Sequence, residues 1–308
     1  MTGAGSAATV GIAQWAPRPG ESAHNEAVAA RAVGELAARG CTAVVLPELW
    51  ICGYRPATLA RDAAAAAQPV GGPLTGRLSQ LAARHRVLLC AGTVVESDPR
   101  DAGRLYNTAL VFGADGALLL AQRKTHLYPP GGEHLVFTAG DRFATAETAQ
   151  LGRVACAICY DGDFPETART LAAAGAGVVL APAAYEAAAE SWWDTLYPAH
   201  ALTGGQWWIS ANQSGAGGSG MLGGSRIIAP DGRTVAAASR HGAAPSGNRA
   251  DDAAEPELLV ARIDVAGERG RVADDVALLS APRRLPCGPY AADSRAGEGS
   301  RRPAVPPE

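Results

Sequence analysis

The segment AICYDGDFPETAR, from Ala157 to Arg169, runs an apolar stretch into a thiol, then an acid, a glycine and a proline. A free thiol is mostly protonated near neutral pH, so Cys159 can act as a nucleophile only beside a base, a cation or a helix N-terminus. Pro165 suits the first turn of a helix and Glu166 suits its dipole. A helix over 165–174 would then aim unpaired N–H groups at the sulfur and at any oxyanion formed on attack. Two other stretches carry complementary groups: LPELW sets Glu48 directly behind a strand that Pro47 ends, and QRKTHLYPP sets Lys124 at the end of a hairpin strand. A carboxylate base, an ammonium and a thiol at the mouths of strands would make an acyl-transfer site. Each has a plainer reading too: Cys159 as a small core residue, Glu48 as a helix cap, Lys124 on a solvated strand edge. Cys156 and Cys159 have the CxxC spacing of a redox pair. Along a strand, residues three apart face opposite sides, so Cys156 reads as core packing.

The elements that must position these groups follow from periodicity. TVGIAQW reads as a first strand, and residues 22–38 carry Val28, Ala32 and Leu36 at four-residue steps, a helix closed by Gly40. TAVVLP is a continuous apolar run, as in a strand buried on both faces. A helix near 74–86 leads into the strand VLLCAGTVVE, and NTALVFGADGALLLAQRK is a hairpin turning at Asp115-Gly116. LGRVACAIC, GVVLAPAA, QWWISAN and ELLVARID read as strands, FPETARTLAAAG and 191–204 as helices, and SRIIAPDGRTVAAAS as a second Asp-Gly hairpin. Strands alternating with helices, plus two hairpins, define an α/β layered fold with a mixed sheet. No short repeat is visible. Residues 240–255 read as a surface loop, and residues 286–308 as a tail, disordered or crossing to a partner subunit, outside a single domain over 1–285.

The bulk properties narrow the class. The chain has 308 residues, 47% apolar and 19% charged, with net charge -3. That is an ordinary soluble globular composition, and no global field favours nucleic acid or an anionic membrane. Six cysteines in a chain this long are too few for a disulfide scaffold, which fits a cytoplasmic protein with reduced thiols. Neither a signal-peptide pattern nor a membrane span stands out. The histidines lack metal-ligand spacing, so no metal and no cofactor is expected.

Taken together, PELWICGY, RKTHL and CYDGDFPE, followed by ISANQSG and GGSRIIAPDGRTVA, resemble the motifs of the nitrilase (carbon–nitrogen hydrolase) superfamily, in its order and over roughly residues 8–265. The resemblance implies a four-layer αββα sandwich, a Glu-Lys-Cys triad of Glu48, Lys124 and Cys159, and a second glutamate, matched by Glu133, that positions Lys124 or the substrate amide. It also implies a homo-oligomer, with the Trp-rich 191–208 region and the tail as contacts, and a thioester mechanism in which Lys124 and the Tyr160 N–H hold the oxyanion. Within the resemblance, Cys159-Tyr160-Asp161 is similar to the amide and carbamoyl hydrolases rather than the true nitrilases, and Gly162-Asp163 departs from the bulkier, often Arg-containing pair of many family members. The segments expected around the pocket are acidic and aromatic: Tyr54, Tyr160, Asp163, Glu186, Glu190, Trp192, Trp193, Asp194 and Tyr197. A lining of carboxylates and rings suits a cation. The expected substrate is a small linear amide with a distal amino or guanidino group. The alternatives are an N-carbamoyl amine of the N-carbamoylputrescine kind, a nitrile, or a pseudoenzyme that only binds.

Overall fold

Alternate residues along each central strand face opposite layers, and this periodicity builds the molecule. In the computed structural model, which describes residues 7–215, 220–240 and 255–275, strands β1 (Ala7–Gln14), β2 (Ala43–Val45), β3 (Leu88–Asp98), β4 (Asp101–Phe112) and β5 (Leu118–Arg123) form the first sheet. β12 (Glu257–Asp264) adds antiparallel to β1, giving the order β12-β1-β2-β3-β4-β5. The second sheet has the order β11-β10-β9-β8-β7-β6, from β6 (Thr145–Thr148), β7 (Gly152–Cys156), β8 (Val178–Ala183), β9 (Trp207–Asn212), β10 (Arg226–Ile228) and β11 (Thr234–Ala237). In each sheet three parallel strands are flanked by antiparallel ones.

Ala43 and Val45 of β2, Leu88 and Cys90 of β3, and Ala109 and Val111 of β4 turn inward to meet the second sheet. Their neighbours Val44, Leu89, Leu110 and Phe112 turn outward. There they pack under α1 (Ser22–Ala38) and α3 (Pro73–His85), whose buried stripes include Val28, Ala32 and Leu36, and Leu74, Leu78 and Ala82. α4 (Pro165–Ala173) and α5 (Glu190–Gly204) cover the far side of the second sheet. The result is the expected αββα sandwich of two mixed sheets. α2 (Leu59–Ala66), β6 and α6 (Val265–Asp275) are additions to the elements expected from sequence. Among the described residues no helix is long and apolar enough to cross a membrane. The loop expected over 240–255, apart from its two end residues, and the tail over 286–308 lie outside the described residues.

Candidate active site

The strands of both sheets deliver side chains at their carboxyl ends, where open α/β sheets habitually build sites. Pro47 and Glu48 follow β2, Lys124 follows β5, Cys159 lies three residues beyond β7, and Ala184 follows β8. The Glu48 N–H reaches the Ala183 carbonyl at 3.3 Å, so the end of a strand in one sheet is tied to a strand of the other. Its Oε1 accepts from Lys124 Nζ at 2.8 Å and from Asn107 Nδ2 at 2.7 Å, and its Oε2 accepts from the Ala184 N–H at 2.9 Å. Gln213 Nε2 donates to its carbonyl at 2.7 Å. Lys124 Nζ makes a second 2.8 Å bond to Glu133 Oε1, and Glu133 Oε2 is held by the Tyr128 N–H at 3.0 Å. Glu48, Lys124 and Glu133 are all fully buried.

Burial works against the Lys124 charge, but Glu133 and Glu48 outweigh it and hold the ammonium well above its usual range. Burial raises the Glu133 carboxyl, opposed chiefly by Lys124. The Cys159 thiol is pushed well above its ordinary value by burial and then by Glu48, with Lys124 pulling the other way. The resting thiol is therefore protonated, and attack needs a base to remove its proton. Cys159 has φ 47°, a left-handed backbone that a side-chain-bearing residue adopts at a cost. A five-residue 3-10 turn, Cys159–Asp163, separates it from α4, so the residues that follow the sulfur are those of this turn and not the first turn of α4. β7 stops at Cys156, whose thiol meets Cys90 across the sandwich rather than Cys159.

A cleft of about 360 Å³ of empty space, part of it open solvent, reaches Cys159 and Glu133. Of the residues named from sequence, Tyr54, Tyr160, Asp163, Glu186 and Trp192 line it, beside Tyr128 and Tyr185. Tyr54 Oη is buried and without a partner, so it can serve a bound molecule. Asp163 accepts from Tyr185 Oη at 2.9 Å, and burial raises its carboxyl to about 6. Trp193 is a correction. It is fully buried behind the cleft wall, donating from Nε1 to the Gly224 carbonyl, with the Arg226 guanidinium over its ring. One helical step carries its exposed neighbour Trp192 to the cleft instead. Glu190 and Asp194 are also corrections, since Arg240 pairs with both and Arg226 with Asp194, leaving neither on the cleft. Tyr197 packs its ring where a side chain on Gly162 would stand and donates to the Cys159 carbonyl at 2.9 Å. Asn107, Tyr128, Asp161 and Gln213 were missed. The one signal for Asn107 was a polar residue opening the apolar run NTALVF.

An αββα sandwich with a buried ammonium held by two carboxylates, beside a cleft that reaches a cysteine, defines a class of fold and site. The family model described as carbon-nitrogen hydrolase matches residues 7–266, and the chain belongs to that family. The chloroplastic omega-amidase of Arabidopsis thaliana is 34% identical over 223 residues, 68% of this chain and 58% of its own length. The match thus spans less than two thirds of that curated relative. A variant of the amidase from Nesterenkonia sp. AN1, solved with acrylamide added to its active-site cysteine, is 25% identical with TM-score 0.70, covering 88% of this chain and 98% of its own. Nit3 of Saccharomyces cerevisiae, 24% identical, shares the fold with TM-score 0.75 over 90% of this chain and 97% of its own.

Proposed function

We propose that the protein hydrolyses the carbon–nitrogen bond of a small linear amide through a Cys159 thioester. The observation that carries this reading is the fully buried Lys124 ammonium, held by Glu48 and Glu133 beside a cleft that ends on Cys159. Glu48 takes the thiol proton as sulfur attacks the amide carbonyl, and Lys124 with the Tyr160 N–H holds the oxyanion. Glu48 then returns that proton to the departing nitrogen, ammonia leaves, and water deprotonated by Glu48 cleaves the thioester to a carboxylic acid and the free thiol. Glu133 positions Lys124. Similarity to relatives named as amidases supports the same chemistry, and retention of all four groups counts against a pseudoenzyme.

The substrate class follows from the lining of the cleft. Asp163 and Glu186 stand there among the rings of Tyr128, Tyr160, Tyr185 and Trp192, and no lysine or arginine lines the cleft among the described residues. Carboxylates and ring faces select a cation, so the substrate is an ω-amino or guanidino acid amide. An N-carbamoyl amine shares that charge and is the second reading. Cytoplasmic location, a homo-oligomeric assembly and a hydrolase domain ending near residue 285 belong to the same proposal.

Ammonia release from 4-guanidinobutyramide and 5-aminopentanamide, set against neutral aliphatic amides and N-carbamoylputrescine, is the test. A substrate-derived mass adduct on the parent protein, absent in Cys159→Ala, identifies the nucleophile. Asp163 attracts a cation only when ionised. The ratio of kcat/KM for the cationic amide to that for a neutral one therefore rises as pH increases through about 6. Equal rates on cationic and neutral amides, or a flat ratio, remove the charge argument.

A further inference from the structure

Lys124 is where the chain leaves the first sheet. Its N–H donates to the Asn107 carbonyl at 2.8 Å, and its carbonyl accepts from the Gly140 N–H at 2.7 Å. The next two N–H groups, of Thr125 and His126, turn to Asp161 Oδ1 at 3.1 and 2.8 Å, where the His126 Nδ1 also arrives at 2.9 Å. The other oxygen, Oδ2, accepts at 3.1 Å from the N–H of Ile158, the residue just before Cys159. Asp161 is fully buried, and it makes all the hydrogen bonds that join residues 124–128 to residues 157–164. Phe164 adds an apolar contact, stacking on the His126 ring with centroids 4.1 Å apart.

We propose that Asp161 is a positioning residue for catalysis: one carboxylate grips the chain immediately after Lys124 and immediately before Cys159, and so sets the ammonium against the sulfur. The inference rests on the amidase reading for its catalytic consequence and on the hydrogen bonds alone for its geometry. A carboxylate suits the place because all its partners are donors. An amide at 161 retains one acceptor oxygen and turns the other into a donor. It can then serve Thr125 and His126, or Ile158, but not both sides. Asparagine therefore releases one sheet's contribution to the site without changing the side chain's size.

A displacement near 1 Å of a group that must meet a developing oxyanion costs on the order of a hundredfold in rate. Asp161→Asn accordingly loses about that much in kcat with KM little changed, a split that marks a group acting in the transition state. His126→Ala removes one donor and leaves the three backbone donors, so it gives a smaller loss of the same kind even where Asp161→Asn folds poorly. In a Lys124→Gln background, adding Asp161→Asn slows single-turnover acylation by the p-nitrophenyl ester of the same acid much less than it slows the parent, because the lysine against which Asp161 sets the sulfur is gone. Additive losses in that cycle overturn the proposal, as does a crystal structure of Asp161→Asn with the parent's Nζ-to-Sγ separation. A parent protein inert on every amide ends the amidase reading and leaves the crystallographic test standing.

Discussion

At the scale of single residues the site is an ionic arrangement with poor prospects as a stabilising feature. Lys124, Glu48 and Glu133 are buried together, and two carboxylates share one ammonium. Desolvating three charges costs more than well-packed apolar groups of the same volume would, while removing one partner leaves the others uncompensated. Lys124→Met therefore destabilises the protein by about 3–5 kcal/mol. The triple variant with Glu48→Gln and Glu133→Gln recovers most of that loss and remains inactive. Urea midpoints at pH 7 check both. A triple variant no more stable than Lys124→Met would mean that the glutamates support the fold in ways their charges do not explain.

At the scale of elements, the position of Glu48 depends on a bulge in its neighbour. β3 shifts register against β4 between Cys90 and Thr93, and Gly92 stands there with φ 65°. A Cβ on Gly92 would come 1.9 Å from the Pro47 carbonyl oxygen. That carbonyl accepts from the Thr93 N–H at 3.2 Å, and Thr93 Oγ1 accepts from the Leu49 N–H at 2.7 Å, so the bulge holds the residues on both sides of Glu48. Gly92→Ala must move the loop, with a stability loss of about 2–4 kcal/mol and a kcat loss larger than thermal unfolding at the assay temperature explains. An unchanged urea midpoint counts against this account of the bulge. Sequence reading foresaw α1, α3 and the β4–β5 hairpin because each carries strong periodicity bounded by Gly or Pro. It passed over β6, whose TAET lacks apolar alternation, and α2, whose alanines suit several states. Glu48, Lys124 and Cys159 are legible because three short motifs, each open to a plainer reading alone, stand together in the family's order, and Glu133 is legible only through that resemblance. Asn107 reaches Glu48 and Asp161 reaches Thr125 and His126 across 35 or more residues, which no local pattern encodes. Trp193, expected at the cleft beside Trp192, turns away from it, because orientation around a helix depends on what the helix packs against.

At the scale of the whole molecule, the site exists only while the two sheets face each other. Glu48 and Lys124 come from the first sheet, and Cys159 and the Ala184 N–H from the second. Each sheet repeats one topology, three parallel strands and then two antiparallel, without any repeat of residues for the sequence to reveal. The chain passes from the first sheet to the second after β5 and returns with β12, which pairs along the whole of β1. Polar links cross between the halves: the Ser225 N–H donates to Gln14 Oε1, and the Ser214 N–H donates to the Trp15 carbonyl, at 2.8 and 2.9 Å. Between the sheets lies a continuous apolar layer with Val10, Val45 and Cys90 on one side and Leu180, Ile209 and Cys156 on the other. Separating the sheets would expose that layer and strand the buried charges, so no stable half-molecule is available and the site opens only on global unfolding. In hydrogen exchange at low urea, the amides of β2 and β8 therefore open with one common free energy, and loss of turnover follows the same transition. If one sheet opens at lower free energy than the other, with turnover lost before either exchanges globally, the cleft is a separable unit and the whole-molecule account fails.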